Sequence, residues 1–214
     1  GTSPAMLLLF SALINPGDEV IISDPHYACY ANFIHYVQGV PALVPVSEDE
    51  GFVFTPQAIE QRITDRTKAI FINSPSNPTG IVMPEIRMRQ IVEIAEKNDL
   101  VIISDEIYHG LVYEGTAHSI LEFTSQAFVL NGFSKLFAMT GLRLGYLISP
   151  PEYIRALQVL QQNFFICANS VTQAAGIAAL EDSDTETAAM RERYNRRRQY
   201  VIKRLKAMGF DIQV

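Results

Sequence analysis

The strongest constraint on the fold is the alternation of short β-branched runs with longer amphipathic stretches. The predicted strands are EVIIS (19–23), ALVPV (42–46), KAIFIN (68–73), LVIIS (100–104), AFVLN (127–131) and LRLGYLI (142–148). The candidate helices lie at about 4–13, 27–37, 85–98, 152–163, 168–181 and 184–208. This alternation is typical of parallel strands that helices cover on both faces. The sequence therefore predicts a three-layer α/β/α fold with a mostly parallel mixed sheet.

The composition indicates one large globular unit. A chain of 214 residues with 48% hydrophobic and 19% charged residues can bury a sizeable core. The apolar stretch at 6–14 is too short to span a bilayer. The net charge of -6 disfavours general nucleic-acid binding, and we interpret the basic run at 191–206 as the solvated face of a long helix. We therefore expect neither a membrane nor a nucleic-acid partner.

The cysteines and the chain ends add two expectations. Cys29 and Cys167 form neither a metal-ligand spacing nor a disulfide framework, which suits a reducing cytoplasm, so we expect a cytoplasmic location and no metal site. The sequence opens on GTSPAM and stops on GFDIQV, which is typical of the start of another strand. We expect a piece of a longer protein.

Polar residues follow four of the predicted strands. They are Asp24-Pro25, the segment 73–80, Asp105 and the segment 131–135. Any one of them could cap a helix or form a turn. In parallel sheets, however, ligands bind beyond the carboxyl ends of the strands. An acid, an amide and a lysine at successive strand ends therefore favour a binding site.

The residues at these strand ends indicate a class of cofactor. Neither G-x-G-x-x-G nor G-x-x-x-x-G-K-[ST] occurs, which weakens both common nucleotide-binding interpretations. The chain offers Lys135 for an imine, Asp105 with Tyr108 three residues later, and Arg143 for a phosphate. Pyridoxal phosphate chemistry requires a Schiff-base lysine, an anionic partner for the pyridinium nitrogen and an anion site. We therefore expect pyridoxal 5'-phosphate as the cofactor.

Three motifs carry a resemblance to a known family. SPSNPTG (74–80), SDEIYHGLVYEG (104–115) and NGFSKLFAMTGLRLGY (131–146) resemble, in order, those of the class I/II, fold-type I, pyridoxal phosphate-dependent aminotransferases. The resemblance implies the family's large cofactor-binding domain over 1–208, with one antiparallel strand near 142–148. It implies the beginning of a truncated small domain at 209–214. It also implies a homodimer for the full-length protein.

The resemblance assigns roles around the cofactor ring. Lys135 is expected to form the Schiff base, and Asp105 to keep the pyridine nitrogen protonated. Tyr108 and Asn77 are expected to contact the phenolic oxygen. Tyr27 is expected to stack on the ring, with simple core packing as the alternative.

The resemblance also assigns a phosphate site. Arg143 is expected to bind the phosphate, with Ser134 and the backbone N–H groups of Gly1 and Thr2 at the start of a helix. Many members have serine or threonine three residues before the lysine, where this chain has Gly132. The chain must fold back between Lys135 and Arg143, and we expect Thr140-Gly141 to supply the turn.

Two further expectations concern neighbouring residues. The family pattern predicts cis peptide bonds at Asp24-Pro25 and Asn77-Pro78. We expect Glu106 to have a structural role outside the site.

The leading functional hypothesis is transfer of an amino group from an amino acid to a 2-oxo acid through a Lys135 Schiff base. One alternative is a β-eliminating lyase that acts on a sulfur amino acid. Others are the aminotransferase-like effector domain of a transcription regulator and a nucleotide-binding module. The family's substrate-carboxylate arginine lies in the small domain, so we expect this chain alone to bind the cofactor weakly and turn over poorly.

Overall fold

A six-stranded sheet forms the centre of the fold in the computed structural model, which describes residues 1–212. Its strands are β1 (Glu19–Asp24), β2 (Val40–Pro45), β3 (Thr67–Asn73), β4 (Val101–Asp105), β5 (Ala127–Gly132) and β6 (Gly145–Ile148). The strand order is β2-β1-β3-β4-β5-β6, in which β1 to β5 are parallel and β6 runs antiparallel to β5. The predicted mixed sheet and its antiparallel strand are both confirmed.

Helices lie before, between and after the strands. They are α1 (Thr2–Leu13), α2 (Cys29–Tyr36), α3 (Pro56–Glu60), α4 (Glu85–Lys97), α5 (Pro151–Phe165), α6 (Ser170–Asp182) and α7 (Asp184–Ala207). The six predicted helices are all present, with ends that differ by a few residues. The short helix α3 was not predicted; it begins where the Thr55 hydroxyl accepts a hydrogen bond from the Ala58 N–H. No helix among the described residues is both long and apolar enough to cross a membrane.

The core consists of two apolar layers, one on each face of the sheet. The central strands are buried on both faces, so their apolar residues are consecutive instead of alternating. One layer packs residues of the sheet against α4, and includes Ile21, Ile70, Ile72, Met88, Ile91 and Val129. The other layer packs against α1 and α2, and includes Met6, Leu9, Phe10, Ile34, Phe71 and Ile103. These two apolar layers hold the first turns of the helices against the ends of the strands at the carboxyl edge of the sheet.

The connection from Lys135 to Arg143 differs from the prediction. The antiparallel strand begins at Gly145 instead of 142, and residues Thr140–Leu142 form a 3-10 turn. The left-handed residues on either side of this turn are Ala138 (φ 53°) and Arg143 (φ 55°), so Thr140-Gly141 does not supply the reversal by itself. The strand is shorter than predicted because the chain turns at Arg143 toward Gly1, whose nitrogen lies 2.6 Å from the Arg143 carbonyl oxygen.

Three backbone segments approach one another closely at this point. A Cβ atom on Gly132 would lie 2.9 Å from the Gly145 Cα, and one on Gly145 would lie 2.8 Å from the Gly1 carbonyl carbon. Real Cβ atoms do not come so near to backbone atoms, and only glycine leaves the space. The structure thus accounts for glycine at position 132.

The C-terminal helices contribute little to this core. The apolar residues of α7 do not form a buried stripe: Tyr194, Tyr200, Val201 and Met208 are all exposed, because no other described element covers that side of the helix. The basic residues are mostly exposed as well, in agreement with a solvated surface. Residues 209–212 form no strand, and the end of the expected strand at 213–214 lies outside the described residues.

Candidate active site

The polar residues at the carboxyl edge of the sheet meet because their strands are neighbours. Asn73, the last residue of β3, pairs with Asp105, the last residue of β4. The Asn73 amide donates to the Asp105 carbonyl oxygen at 2.8 Å, and its Oδ1 accepts from the Asn77 backbone N–H at 2.8 Å. Asn73 therefore fixes the position of Asn77. The sequence analysis gave Asn73 no role of its own, although its place at a strand end was a usable signal.

Asn77, Tyr108 and Lys135 come together in one cleft. The Asn77 Nδ2 lies 3.4 Å from the Tyr108 hydroxyl oxygen. The Lys135 Nζ lies 5.3 Å from the centre of the Tyr108 ring, within the range of a cation–π contact. These three side chains and Ser134 line a cleft of about 790 Å³. The cleft thus brings together four of the predicted site residues.

Lys135 is exposed within this cleft. The isolation of this lysine among small and apolar residues in the sequence suggests dry surroundings, and that expectation is wrong for the described chain. Lys135 follows β5 in an irregular bend and faces an open cleft, so water reaches its side chain.

The opposite wall of the cleft comes from α7. Arg198 projects from that helix and forms an ion pair with Glu114, at 2.5 Å, and its guanidinium lies 5.3 Å from the centre of the Tyr113 ring. Tyr194, one helical turn earlier, lines the same wall. The sequence analysis did not single out either residue of α7, because nothing in a basic helical run shows which side chain faces a cleft.

Asp105 is a buried carboxylate with two hydrogen-bond donors. Its side chain is among the most buried charged groups, at 3% exposure. The Tyr30 hydroxyl donates to Oδ2 at 2.8 Å, and the Ile107 backbone N–H donates to Oδ1 at 3.1 Å. Burial raises the pKa of Asp105 to about 6, although these two donors and the Lys135 charge act to lower it. Each carboxylate oxygen keeps capacity to accept another donor.

Tyr27 and Tyr30 form an aromatic pair next to Asp105. Their ring centres are 5.5 Å apart and the rings are nearly perpendicular, at 83°. Tyr27 is 41% exposed, so simple core packing does not describe it, whereas Tyr30 is 3% exposed and belongs to the core. Tyr30 was not among the predicted site residues. Its spacing of three residues from Tyr27, at the start of a predicted helix, was the signal that could have placed both side chains on one side.

The predicted phosphate residues lie at the start of α1. The Gly1 nitrogen donates to the Arg143 carbonyl oxygen, and a Cβ on Gly1 would lie 3.0 Å from the Arg143 Nη2. Thr2 is the first residue of α1, so its N–H lies at the positive end of that helix. Arg143 is exposed. A guanidinium beside a helix start forms a suitable anion site.

Ser134 is linked to this group through Thr140. The Arg143 Nη1 donates to the Thr140 carbonyl oxygen at 3.0 Å. The Thr140 hydroxyl donates to the Ser134 carbonyl oxygen at 2.8 Å. The left-handed turn thereby connects the anion site with the residue before Lys135.

Glu106 is buried but lies outside the cleft, as predicted. Its Oε1 accepts from the Ser104 hydroxyl at 3.0 Å, the Ser119 hydroxyl at 3.2 Å and the Ile120 backbone N–H at 3.0 Å. The carboxylate therefore ties the segment around Ser119 to the end of β4. Among the described residues, no group of three or more histidine, cysteine or acidic side chains is arranged to hold a metal ion.

The cis peptide bonds agree with the family pattern. Asp24-Pro25 and Asn77-Pro78 are both cis, as predicted. Ser74-Pro75 is cis as well, and the sequence analysis did not anticipate it.

These features fit the chemical requirements of pyridoxal phosphate. A buried carboxylate with unused acceptor capacity suits a protonated ring nitrogen, and a lysine lies in the adjoining cleft. At Gly1, an added Cβ would crowd the Arg143 guanidinium, so the absence of a side chain keeps the anion site open. Fold and site together define a doubly wound α/β domain with a candidate cofactor site at the carboxyl edge of its sheet.

The comparisons with known proteins identify the family. The model of the family "Aminotransferase class I and II" matches residues 1–214, and the chain belongs to that family. It is 43% identical to the (5-formylfuran-3-yl)methyl phosphate transaminase of Methanocaldococcus jannaschii, over 99% of this chain and 55% of the relative. It is 37% identical to a probable aspartate/prephenate aminotransferase of Thermus aquaticus, over 99% of this chain and 56% of the relative.

A solved structure agrees with the observed fold. The aspartate aminotransferase from Thermus thermophilus with maleate superimposes with a TM-score of 0.96 at 36% identity, over 99% of this chain and 56% of that chain. The comparisons confirm the predicted family and its fold. The chain spans about half the length of the curated relatives it matches.

Proposed function

We propose that this chain is the cofactor-binding large domain of a pyridoxal phosphate-dependent aminotransferase, which transfers an amino group from an amino acid to a 2-oxo acid. The domain extends over 1–208, and 209–214 begins the small domain. The observation that carries the proposal is the meeting of Lys135, Tyr108 and Asn77 in one cleft, next to the buried carboxylate of Asp105.

The residues would hold the cofactor at four places. Asp105 would hold the ring nitrogen in its protonated form, because a buried carboxylate favours a nearby cation. Asn77 and Tyr108 would donate to the phenolic oxygen. Arg143, with Ser134 and the N–H groups of Gly1 and Thr2, would hold the phosphate. The exposed Tyr27 ring would cover one face of the ring.

When bound, pyridoxal phosphate supplies an aldehyde carbon that bonds amines and a ring that accepts electron density from the substrate. Lys135 would supply the protein's own amine to hold the cofactor, and its Nζ, when free, would hold and move the substrate proton.

The proposal extends to partners and location. The substrates would be an amino acid and a 2-oxo acid, and the longer protein would be a cytoplasmic homodimer. Exposed apolar side chains along α5 and α6 support a covering subunit; they include Phe164, Phe165, Ile166, Val171 and Leu180. An apolar area of this kind is typical of a protein interface.

A half-reaction assay tests the proposal. The protein is loaded with pyridoxal phosphate and mixed, in separate reactions, with L-aspartate and with the sulfur amino acid L-cystathionine, and the 2-oxo acid and ammonia are measured in each. A transferase forms the 2-oxo acid without ammonia, whereas release of ammonia in equal amount from the sulfur amino acid would show a lyase. Lys135→Ala should abolish product formation. Lys97→Ala is the matched control, since Lys97 lies at the exposed end of α4, 3.6 Å from Glu60.

A further inference from the structure

The proposed mechanism does not use Tyr30, although its hydroxyl is buried beside the site. Tyr30 is 3% exposed, and its hydroxyl lies 2.8 Å from the Asp105 Oδ2. The two residues are 75 positions apart in the chain, so the contact exists only because α2 packs on the sheet with Tyr30 against Phe71 of β3, the strand that pairs with β4.

The packing around Tyr30 determines where its hydroxyl points. The Tyr30 ring centre lies 4.4 Å from that of Phe71 in β3 and 5.5 Å from that of Tyr27. A buried ring with two aromatic neighbours has little freedom to rotate away. The hydroxyl is thus held at Asp105 by the core and does not depend on a mobile side chain.

The surroundings of Tyr30 and Asp105 determine which of the two groups donates the hydrogen bond. Burial, followed by the Asp105 charge, raises the pKa of Tyr30 far above its usual range, so this phenol stays protonated and donates. Burial acts against the charge of Asp105, and the Tyr30 hydroxyl is the largest effect that opposes burial. A donor at Oδ2 and another at Oδ1 also hold both ends of the carboxylate plane.

We propose that Tyr30 is a positioning residue that keeps the buried Asp105 side chain ionised and fixes the orientation of its carboxylate. The inference rests on the proposed function, in which Asp105 must be anionic to hold a protonated ring nitrogen. Two other charged side chains act on Asp105: Glu106, which raises the pKa of Asp105, and Lys135, which lowers it. Neither one is altered when Tyr30 is changed.

The test follows the Asp105 carboxyl by carbon-13 NMR during a pH titration of cofactor-free protein. Asp105→Asn identifies the resonance by its disappearance. Tyr30→Phe keeps the ring and removes the hydroxyl, and it should raise the proton affinity of Asp105 about tenfold or more, since hydrogen bonds to charged groups contribute about 1.5–3 kcal/mol. Tyr153→Phe is the matched control, because Tyr153 packs edge-on against Phe128 and does not line the cleft.

A second measurement does not depend on the folding of a variant. Replacement of all 9 tyrosines by 3-fluorotyrosine makes each hydroxyl a stronger donor with almost no change in shape. The proton affinity of Asp105 should fall in the fluorinated wild type and should not change on fluorination of Tyr30→Phe. A purely structural Tyr30 would leave the Asp105 titration unmoved in both experiments, and that result would overturn the proposal. Because no cofactor is present, failure of the proposed transferase activity would leave this outcome readable.

Discussion

Because the Asp105 carboxylate is buried, we expect the site to reduce the free energy of unfolding of the cofactor-free protein. The pKa of Asp105 rises from an ordinary 3.8 to about 6 because the side chain is buried. Each pKa unit corresponds to about 1.4 kcal/mol, so ionisation of Asp105 in the folded state costs about 3 kcal/mol at neutral pH. The substitution Asp105→Asn removes the charge and keeps the shape.

The sign of the effect follows from proton binding. The folded state binds the Asp105 proton more tightly than the unfolded state does, so the contribution of Asp105 to stability is highest at low pH. It falls as the pH rises from about 4 to about 6 and stays low above that range. An amide has one carbonyl oxygen, so one of the two present donors loses its acceptor, which costs about 1 kcal/mol. We expect Asp105→Asn to be about 2 kcal/mol more stable than wild type at pH 8.

Urea denaturation of cofactor-free protein at several pH values between 5 and 8 measures this difference. The stabilisation by Asp105→Asn should shrink toward pH 5, where the wild-type carboxyl becomes protonated. The exposed Asp65→Asn variant is the control and should show no such pH dependence. The reasoning is refuted if Asp105→Asn is less stable than wild type at pH 8, or if its effect is the same at every pH. We expect Asp105→Asn to gain stability and to lose turnover, which is a common trade-off at functional sites.

Three further predictions concern the surroundings of the site. Glu106→Ala should destabilise the protein by about 3 kcal/mol in urea denaturation, because it leaves buried donors without an acceptor; an effect below about 0.5 kcal/mol would contradict this role. Gly132→Ser should lower the free energy of unfolding by about 2 kcal/mol in the same assay, because the serine Cβ would meet the Gly145 backbone. An unchanged free energy of unfolding would show that β6 moves freely. Arg143→Lys should weaken binding of pyridoxal phosphate about tenfold without weakening binding of pyridoxal, as measured by absorbance titration; equal losses for both ligands would argue against a phosphate role.

Much of the fold follows from local patterns. Consecutive apolar residues, as in β3 and β4, indicate strands buried on both faces. The spacing of Met6, Leu9, Phe10 and Leu13 indicates the buried side of α1. These patterns determine the local structure of residues that are neighbours in sequence. Because the strands are parallel, they also determine the edge of the sheet at which polar side chains gather. The strand-end pattern predicted that the segments containing Asn77, Ser134 and Lys135 lie together, and the family resemblance gave Asn77, Tyr108 and Ser134 their individual roles.

The remaining features depend on contacts between distant parts of the chain. Tyr30 meets Asp105 only through the packing of α2, and Arg143 meets Gly1 across 142 positions. The left-handed conformation of Arg143 has no local signal, because an arginine rarely adopts it. Whether a basic helix such as α7 buries its apolar residues depends on what covers it, which its own sequence does not state.

The central claim is that Lys135 is the amine that bonds the cofactor, and peptide mapping tests it most directly. The protein is incubated with pyridoxal phosphate, reduced with borohydride and digested, and the labelled peptides are identified by mass spectrometry. The account predicts a phosphopyridoxyl group on the peptide that contains Lys135, with Lys68, Lys97, Lys203 and Lys206 unlabelled. A label that is absent from Lys135, or that is spread evenly over all the lysines, would contradict it.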